Sequence, residues 1–270
     1  MRTLIVASFV TTFLFITIFS VSAAIDANMI LYFTFDEQLD GRKVEDMTGG
    51  GNNGKLRFGA TITNEPAEVY KGTGALKIFN NISAQLRVDS FDRMDKYKDH
   101  TYIFWFYVLE PLIAPAPRPP NSVLKKANIL VGDEKGDSPG ISLTDPGLSL
   151  VYKFGRIGPD AIGPEGAGGG FDQKKWYHIA GVKKSANLII YINGEAKGKF
   201  NVQRGFVQGK GHLRIGGTTS RAAFFVMDEF KLYDRALTKK EVELDSKGLL
   251  LSVEPKRKLT TTWGNIKTDR

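Results

Sequence analysis

The stretch Lys175-Trp176-Tyr177-His178-Ile179-Ala180-Gly181-Val182, followed by Leu188-Ile189-Ile190-Tyr191-Ile192-Asn193-Gly194, decides the fold class. Aromatic and β-branched runs of this length, bounded by polar residues, form strands. Both central positions of a type I′ turn require φ > 0, which Asn and Gly tolerate, so residues 187–192 fold back on 195–200 as a hairpin across Asn193-Gly194. Outward from this hairpin, similar runs occur at 29–35, 75–79, 85–88, 101–108, 128–131, 148–154, 213–215 and 223–233, with Gly, Asn, Asp or Pro between them. Many short strands with turn signals between them predict an all-β, two-sheet antiparallel sandwich. In 101–108 the apolar character is continuous, which suits a strand covered on both faces or one that lines a groove with aromatics.

One short helix is expected near the end. Thr238 with Glu241 three residues on forms a capping box, and Gly248 stands where a C-terminal cap belongs. Two loops depart from the rest of the chain. Residues 111–120 hold five prolines and predict a stiff, extended excursion, whereas 155–170 hold seven glycines and predict a mobile one.

Met1-Arg2 precedes 23 uncharged residues, and Val21-Ser22-Ala23 or Ser22-Ala23-Ala24 offers a small-residue cleavage site. This is the pattern of an export signal, residues 1–24, although an uncleaved anchor fits the length as well. No later run is long enough to span a membrane. A secreted or cell-envelope location is therefore expected. With no cysteine to form disulfides, the exported domain must rest on core burial, and a bacterial envelope or secreted protein fits better than an animal ectodomain.

The formal charge of +8 is concentrated at the end. From Lys247 onward there are six basic residues against Glu254 and Asp269, so a basic tail, 249–270, follows a folded body, 25–248, that carries only a small excess. Such a tail either touches anionic polysaccharide or lipid or is simply solvated, and nothing in the chain suggests a nucleic-acid partner.

Several segments in consistent order resemble laminin-G-like domains of the concanavalin A-like lectin/glucanase type. They are Leu31-Tyr32-Phe33-Thr34-Phe35-Asp36-Glu37, the Asp-led turn Asp46-Met47-Thr48-Gly49-Gly50-Gly51-Asn52-Asn53-Gly54, Gly72-Thr73-Gly74-Ala75-Leu76-Lys77-Ile78, Trp176-Tyr177-His178, and Met227-Asp228-Glu229-Phe230 with Tyr233-Asp234-Arg235-Ala236-Leu237-Thr238. The resemblance implies a jelly-roll sandwich closed by one short C-terminal helix. It also implies binding of a glycan, a matrix component or another cell-surface partner, often with a structural calcium ion.

Carried onto this chain, the implied calcium ligands are Asp36, Asp46, Asn52, Asn53 and Asp228, which would supply hard oxygens. The alternative is that Asp46 caps an Asx-turn and Asp228 pairs with a neighbouring cation. Trp105, Tyr107, Tyr152 and Trp176 are the candidates for an aromatic ligand groove. Catalysis is not expected. Glycosidases of the laminarinase type, which share this sandwich, need a Glu-x-Asp-x-Glu strand, which is absent from the chain. A regular strand would also put Asp228 and Glu229 on opposite faces. His100, His178 and His212 show neither metal-ligand spacing nor a nucleophile elbow, and His178 is expected to be structural. The sequence thus predicts a non-catalytic lectin-like binding module, with a structural or adhesive envelope protein acting through protein contacts, or a glycoside hydrolase, as the alternatives.

Overall fold

A computed structural model describes residues 26–39, 41–79, 81, 83–89, 91, 99–110, 126–131, 140–144, 150–153, 162–163, 166–167, 170–201, 212–217 and 224–250. The export segment, the proline-rich loop, most of the glycine-rich loop and the tail beyond 250 lie outside these residues.

In chain order the strands are β1 (Met29–Phe33), β2 (Gln38–Leu39), β3 (Lys43–Val44), β4 (Gly54–Arg57), β5 (Thr61–Thr63), β6 (Ala75–Ile78), β7 (Gln85–Asp89), β8 (His100–Glu110) and β9 (Lys126–Val131). They continue with β10 (Gly140–Thr144), β11 (Leu150–Lys153), β12 (Ile162–Gly163), β13 (Gly166–Ala167), β14 (Trp176–Lys184), β15 (Asn187–Ile192), β16 (Glu195–Asn201), β17 (His212–Gly216) and β18 (Phe224–Tyr233). A helix, α1 (Lys239–Asp245), follows.

These strands form two antiparallel sheets, the expected jelly-roll sandwich. The first has the order β16-β15-β14-β8-β18-β6-β5, with β1 also on β18, and the second β13-β12-β11-β10-β9-β17-β7-β4-β3-β2. Along β18 one edge pairs with β8, while the other is shared: β6 takes Phe225–Met227 and β1 takes Phe230–Tyr233. The inner face of the first sheet contributes Tyr102, Phe104, Phe106, Tyr177, Ile179, Phe225, Met227 and Phe230 to the core, which meet Leu56, Leu86, Val88, Leu213 and Ile215 of the second. Each such side chain contributes about 1.5–3 kcal/mol by leaving water.

The alternate residues of β8 are covered too. Ile103 packs with Met29, Tyr32, Tyr191, Tyr233, Leu237 and Val242 under α1, so the continuous apolar run belongs to a strand buried on both faces. The helix is held as its sequence predicts. Thr238 Oγ1 accepts from Glu241 N at 3.3 Å, Glu241 Oε2 accepts from Thr238 N at 2.7 Å, and Gly248 adopts φ +69°. Arg235 ties this corner to the start of β1 by bonding both Asp26 and Glu241, and its guanidinium holds the Glu241 carboxyl down to about 2.

The Asn193-Gly194 turn does more than reverse the chain. Asn193 and Gly194 have φ 53° and 81°, and Asn193 Oδ1 accepts from His178 N at 2.9 Å. A Cβ on Gly194 would stand 2.5 Å from Ser246 Oγ at the end of α1, so the turn and the helix fit only without a side chain there. Gly194→Ala is expected to cost about 1–2 kcal/mol from the left-handed backbone alone, with a fall of roughly 3–8 °C in Tm on thermal denaturation. Ser246→Ala added to that variant should recover only the steric part.

Candidate functional site

The outer face of the first sheet is unusually polar for a buried surface, and an irregularity in β18 makes it so. Asp228 pairs with Trp105 and Lys231 with Ile103, so Glu229 and Phe230 stand against Phe104 alone. Glu229 is the inserted residue and lies at φ 51°. Because of this bulge, Met227 and Phe230 both face the core, and Asp228 and Glu229 project together from the outer face. The expectation that strand alternation would separate the two carboxylates is therefore overturned.

Asp228 is fully buried and anchors the loop before β6. Its Oδ2 accepts from Tyr70 N and Lys71 N, both at 3.0 Å, and its Oδ1 from Glu229 N at 2.8 Å. Asp36 grips the same loop two residues on, accepting from Thr73 N at 2.6 Å and Gly74 N at 3.1 Å. Between these amides Gly72 has φ +78°, and a Cβ there would collide with the Asp36 carboxylate. Burial, with the Glu229 charge added, pushes the Asp228 carboxyl up to about 7 against the pull of its three amides.

Glu229 opens a chain of charges that ends under α1. Its Oε2 accepts from Tyr32 Oη at 2.8 Å and from Lys71 Nζ at 3.1 Å, and Lys231 Nζ lies 3.8 Å away. Lys231 Nζ donates to Asp245 Oδ2 at 2.6 Å, and Asp245 Oδ1 lies 3.0 Å from His178 Nε2. Burial pushes the Asp245 carboxyl up, but Lys231 and His178 outweigh it and hold it below the usual range. His178, fully buried, is structural, in keeping with its place in the strand.

Three aromatic rings border this network. Tyr70 stacks on Trp105 at 3.5 Å between centroids and meets Trp176 edge-on at 5.8 Å. All three are half-buried and present their remaining surface to solvent. Of the expected groove residues, Trp105 and Trp176 both meet Tyr70, whereas Tyr107 is only 7% exposed and lies against Trp176, 5.2 Å away. Tyr152 is in β11, on the other sheet, and its side chain lies outside the described residues. Tyr70 was missed because it precedes a glycine-rich turn, where no strand pattern marks it. Asp245 was missed as well, although its place three residues after the buried Val242 puts it on the inward face of the helix.

The implied calcium ligands do not assemble. Asp46, Asn52 and Asn53 meet in one turn, but as a closed knot. Asp46 Oδ1 accepts from Tyr32 N, Thr48 N and Thr48 Oγ1, its Oδ2 from Asn52 N and Nδ2, and Asn53 Oδ1 accepts from Asp46 N. Five donors fill the roughly four lone-pair sites of a carboxylate, as in an Asx-turn. Asp36 and Asp228 are spent on the 70–74 loop. Among the described residues no group of three or more His, Asp or Glu side chains is placed to hold a metal ion. The donor set as arranged does not fit calcium.

A family model described as the concanavalin A-like lectin/glucanases superfamily matches residues 80–243, more than half of the chain. Among solved structures, the binding domain of Paraclostridial Mosquitocidal Protein 1 superposes with a TM-score of 0.61 at 18% identity, covering 82% of this chain and 52% of that one. The botulinum neurotoxin serotype D binding domain does so with 0.59 at 14%, covering 82% and 52%. Trypanosoma rangeli sialidase gives 0.59 at 15%, covering 85% and 34%. At these identities the likeness is one of fold. The chain spans about half the length of the two binding domains and about a third of the sialidase. No curated protein matches it in sequence.

Lys231→Ala is expected to cost on the order of 3–5 kcal/mol in chemical denaturation, since it takes the ammonium from the buried Asp245, whereas Glu229 keeps Lys71. An unfolded aspartate ionises near 3.9, so between about pH 4 and 7 the folded state holds the extra proton on Asp228 and stability falls as pH rises. Urea midpoints measured across that window should show this slope in the native protein and a flatter one in Asp228→Asn. Excess calcium over chelator should leave Tm unchanged, and a rise would mean that the Asp46 turn reopens around the ion.

Proposed function

This chain belongs to the concanavalin A-like lectin/glucanase superfamily, and on that premise we propose that it is an exported, non-catalytic module that binds a carbohydrate or other cell-surface component. The observation that carries the proposal is the shelf of Tyr70, Trp105 and Trp176. These large rings stay partly wet on a sheet face that is otherwise covered, beside the half-exposed ammonium of Lys71. Rings of this kind offer apolar area at little conformational cost, and polar groups at their rim supply orientation. Two of the similar solved structures are described as binding domains, which supports the same conclusion at the level of fold. Export rests on the uncharged N-terminal segment and its small-residue cleavage site.

The Asp228 and Glu229 carboxylates, although side by side, are engaged by backbone amides, Tyr32 and lysines. They hold the loop that carries Tyr70, an engagement that supports binding without turnover. No helix of the described residues is long and apolar enough to cross a membrane.

A glycan array probed with the secreted chain tests the proposal. Binding to at least one glycan is expected, and Trp176→Ala should weaken it by about tenfold or more, ~1.4 kcal/mol, at an unchanged Tm. Array silence combined with retention on intact cells would transfer the function to protein contacts.

A further inference from the structure

The second sheet carries a feature on its outer face that the aromatic shelf does not involve. Lys43 pairs with Lys55, Lys55 with Arg87, and Arg87 with Arg214, so four cations stand in direct register across β3, β4, β7 and β17. Their neighbours Val44, Leu56, Leu86, Val88, Leu213 and Ile215 all face the core, which puts these cations on the opposite face. Like charges directly opposite one another destabilise a sheet. A row of four is therefore a cost to folding that ordinary sheet formation does not require.

Among the described residues one carboxylate serves most of the row. Asp89 reaches Lys55 at 3.2 Å, Arg57 at 3.3 Å and Arg87 at 2.7 Å, one carboxylate shared by three cations. Lys55 and Arg57 keep 49% and 37% of their side chains exposed, and Lys43 is exposed as well. Arg214, at the inner end of the row, is buried.

A second, independent feature adjoins the row. Phe58, the residue after Arg57, is 56% exposed in the tight turn, closed by Ala60 N on Arg57 O, through which the chain passes from β4 in this sheet to β5 in the other, and it adopts φ 55°. A bulky residue in the left-handed region is an outlier, since Asn or Gly suits such a turn better. The chain thus holds an aromatic ring out in water at a strained position beside the cations, and strain kept at such a place points to use.

From these two features we infer that this face binds a linear acidic polysaccharide, sulfated or uronate-bearing, along the row Lys43-Lys55-Arg87 with Arg57, the ring of Phe58 packing on a sugar. The cations step across the sheet at ~4.8 Å per strand, so the row Lys43-Lys55-Arg87 covers ~10 Å, a line suited to a chain of anions rather than a cage for one phosphate. Phe58 and Leu249 are the two large exposed apolar side chains among the described residues, and Leu249 belongs to the α1 end of the other sheet. One ring is too little apolar area to dock on a bilayer. The row also lacks aromatics between its cations, unlike surfaces that stack successive bases.

The test titrates the secreted chain onto immobilised heparin and polygalacturonate, with dextran as the neutral glycan and with a single-stranded oligonucleotide and phosphatidylserine vesicles as other polyanions. Heparin or polygalacturonate should bind, dextran should not, and salt should weaken the complex. The triple variant Lys43→Ser, Lys55→Ser, Arg57→Ser should bind about tenfold or more weakly, with a salt slope shallower by about two to three. The charge-keeping triple Lys43→Arg, Lys55→Arg, Arg57→Lys should bind like the native chain, and Phe58→Ala should lose several-fold affinity at an unchanged Tm. Full binding by the serine variant would overturn the inference, because the basic tail would then be the site. Tighter binding of oligonucleotide or vesicles, lost in the same variant, would overturn the choice of polysaccharide. Loss in Trp176→Ala with no loss in the triple would assign the ligand to the aromatic shelf instead.

Discussion

One extra residue in β18 governs the outer face of the first sheet. With Glu229 in the left-handed region, three consecutive outward groups, Asp228, Glu229 and Lys231, crowd a stretch that regular pleating would have divided between the two faces. The bulge falls where the edge partner of β18 changes from β6 to β1. At that break the ladder has no strand to satisfy it, and carboxylates take over: Asp228 holds the amides of Tyr70 and Lys71, and Asp36 those of Thr73 and Gly74. The loop that brings Tyr70 onto Trp105 is thus bound to the sheet by hydrogen bonds from its amides to carboxyl oxygens rather than by strand pairing.

The same face shows how buried charge orders a structure without being its main source of stability. Asp245, Lys231, Glu229 and Lys71 alternate in sign between α1 and the 70–74 loop, and His178 and Tyr32 cap the series from the sheet. Such a series fixes where the helix and the loop sit, because any displacement strands a buried ion. The apolar core between the sheets, built from Phe104, Phe106, Phe225, Met227 and their partners, provides the gross driving force.

How much of this the sequence disclosed depended on the range of each signal. The Asn193-Gly194 turn, the Thr238 and Glu241 box and the Gly248 cap are local chemistry and were legible in a few residues, as were the strands bearing Trp105 and Trp176. The bulge was not, because nothing in Asp228-Glu229 marks a glutamate for positive φ, and the period-two pattern argued the reverse. Tyr107 looked like a groove residue for the same reason as Trp105, and only the packing of Trp176 over it tells the two apart. The resemblance implied a shared ion for Asp36, Asp46 and Asp228, yet each carboxylate meets backbone amides of its own loop or of an adjoining one. The cation row was half visible, since Lys55, Arg57 and Arg87 alternate with apolar residues within each strand, but their alignment is a matter of register between strands far apart in sequence.

The pairing of β1 with β18 has a mechanical side. Met29 lies opposite Tyr233, and Asp26 is clasped by Arg235, so the start of the folded unit is held at the end of β18 from which the chain leaves for α1. A pull on the start of β1 loads the hydrogen bonds between β1 and β18 one after another, like a zip, instead of sharing the load across the row. Drag on a ligand held by either outer face would then be met first at the Asp26 and Arg235 clasp, which acts as a fuse: β1 peels away before the sheets that carry the aromatic shelf and the cation row are strained.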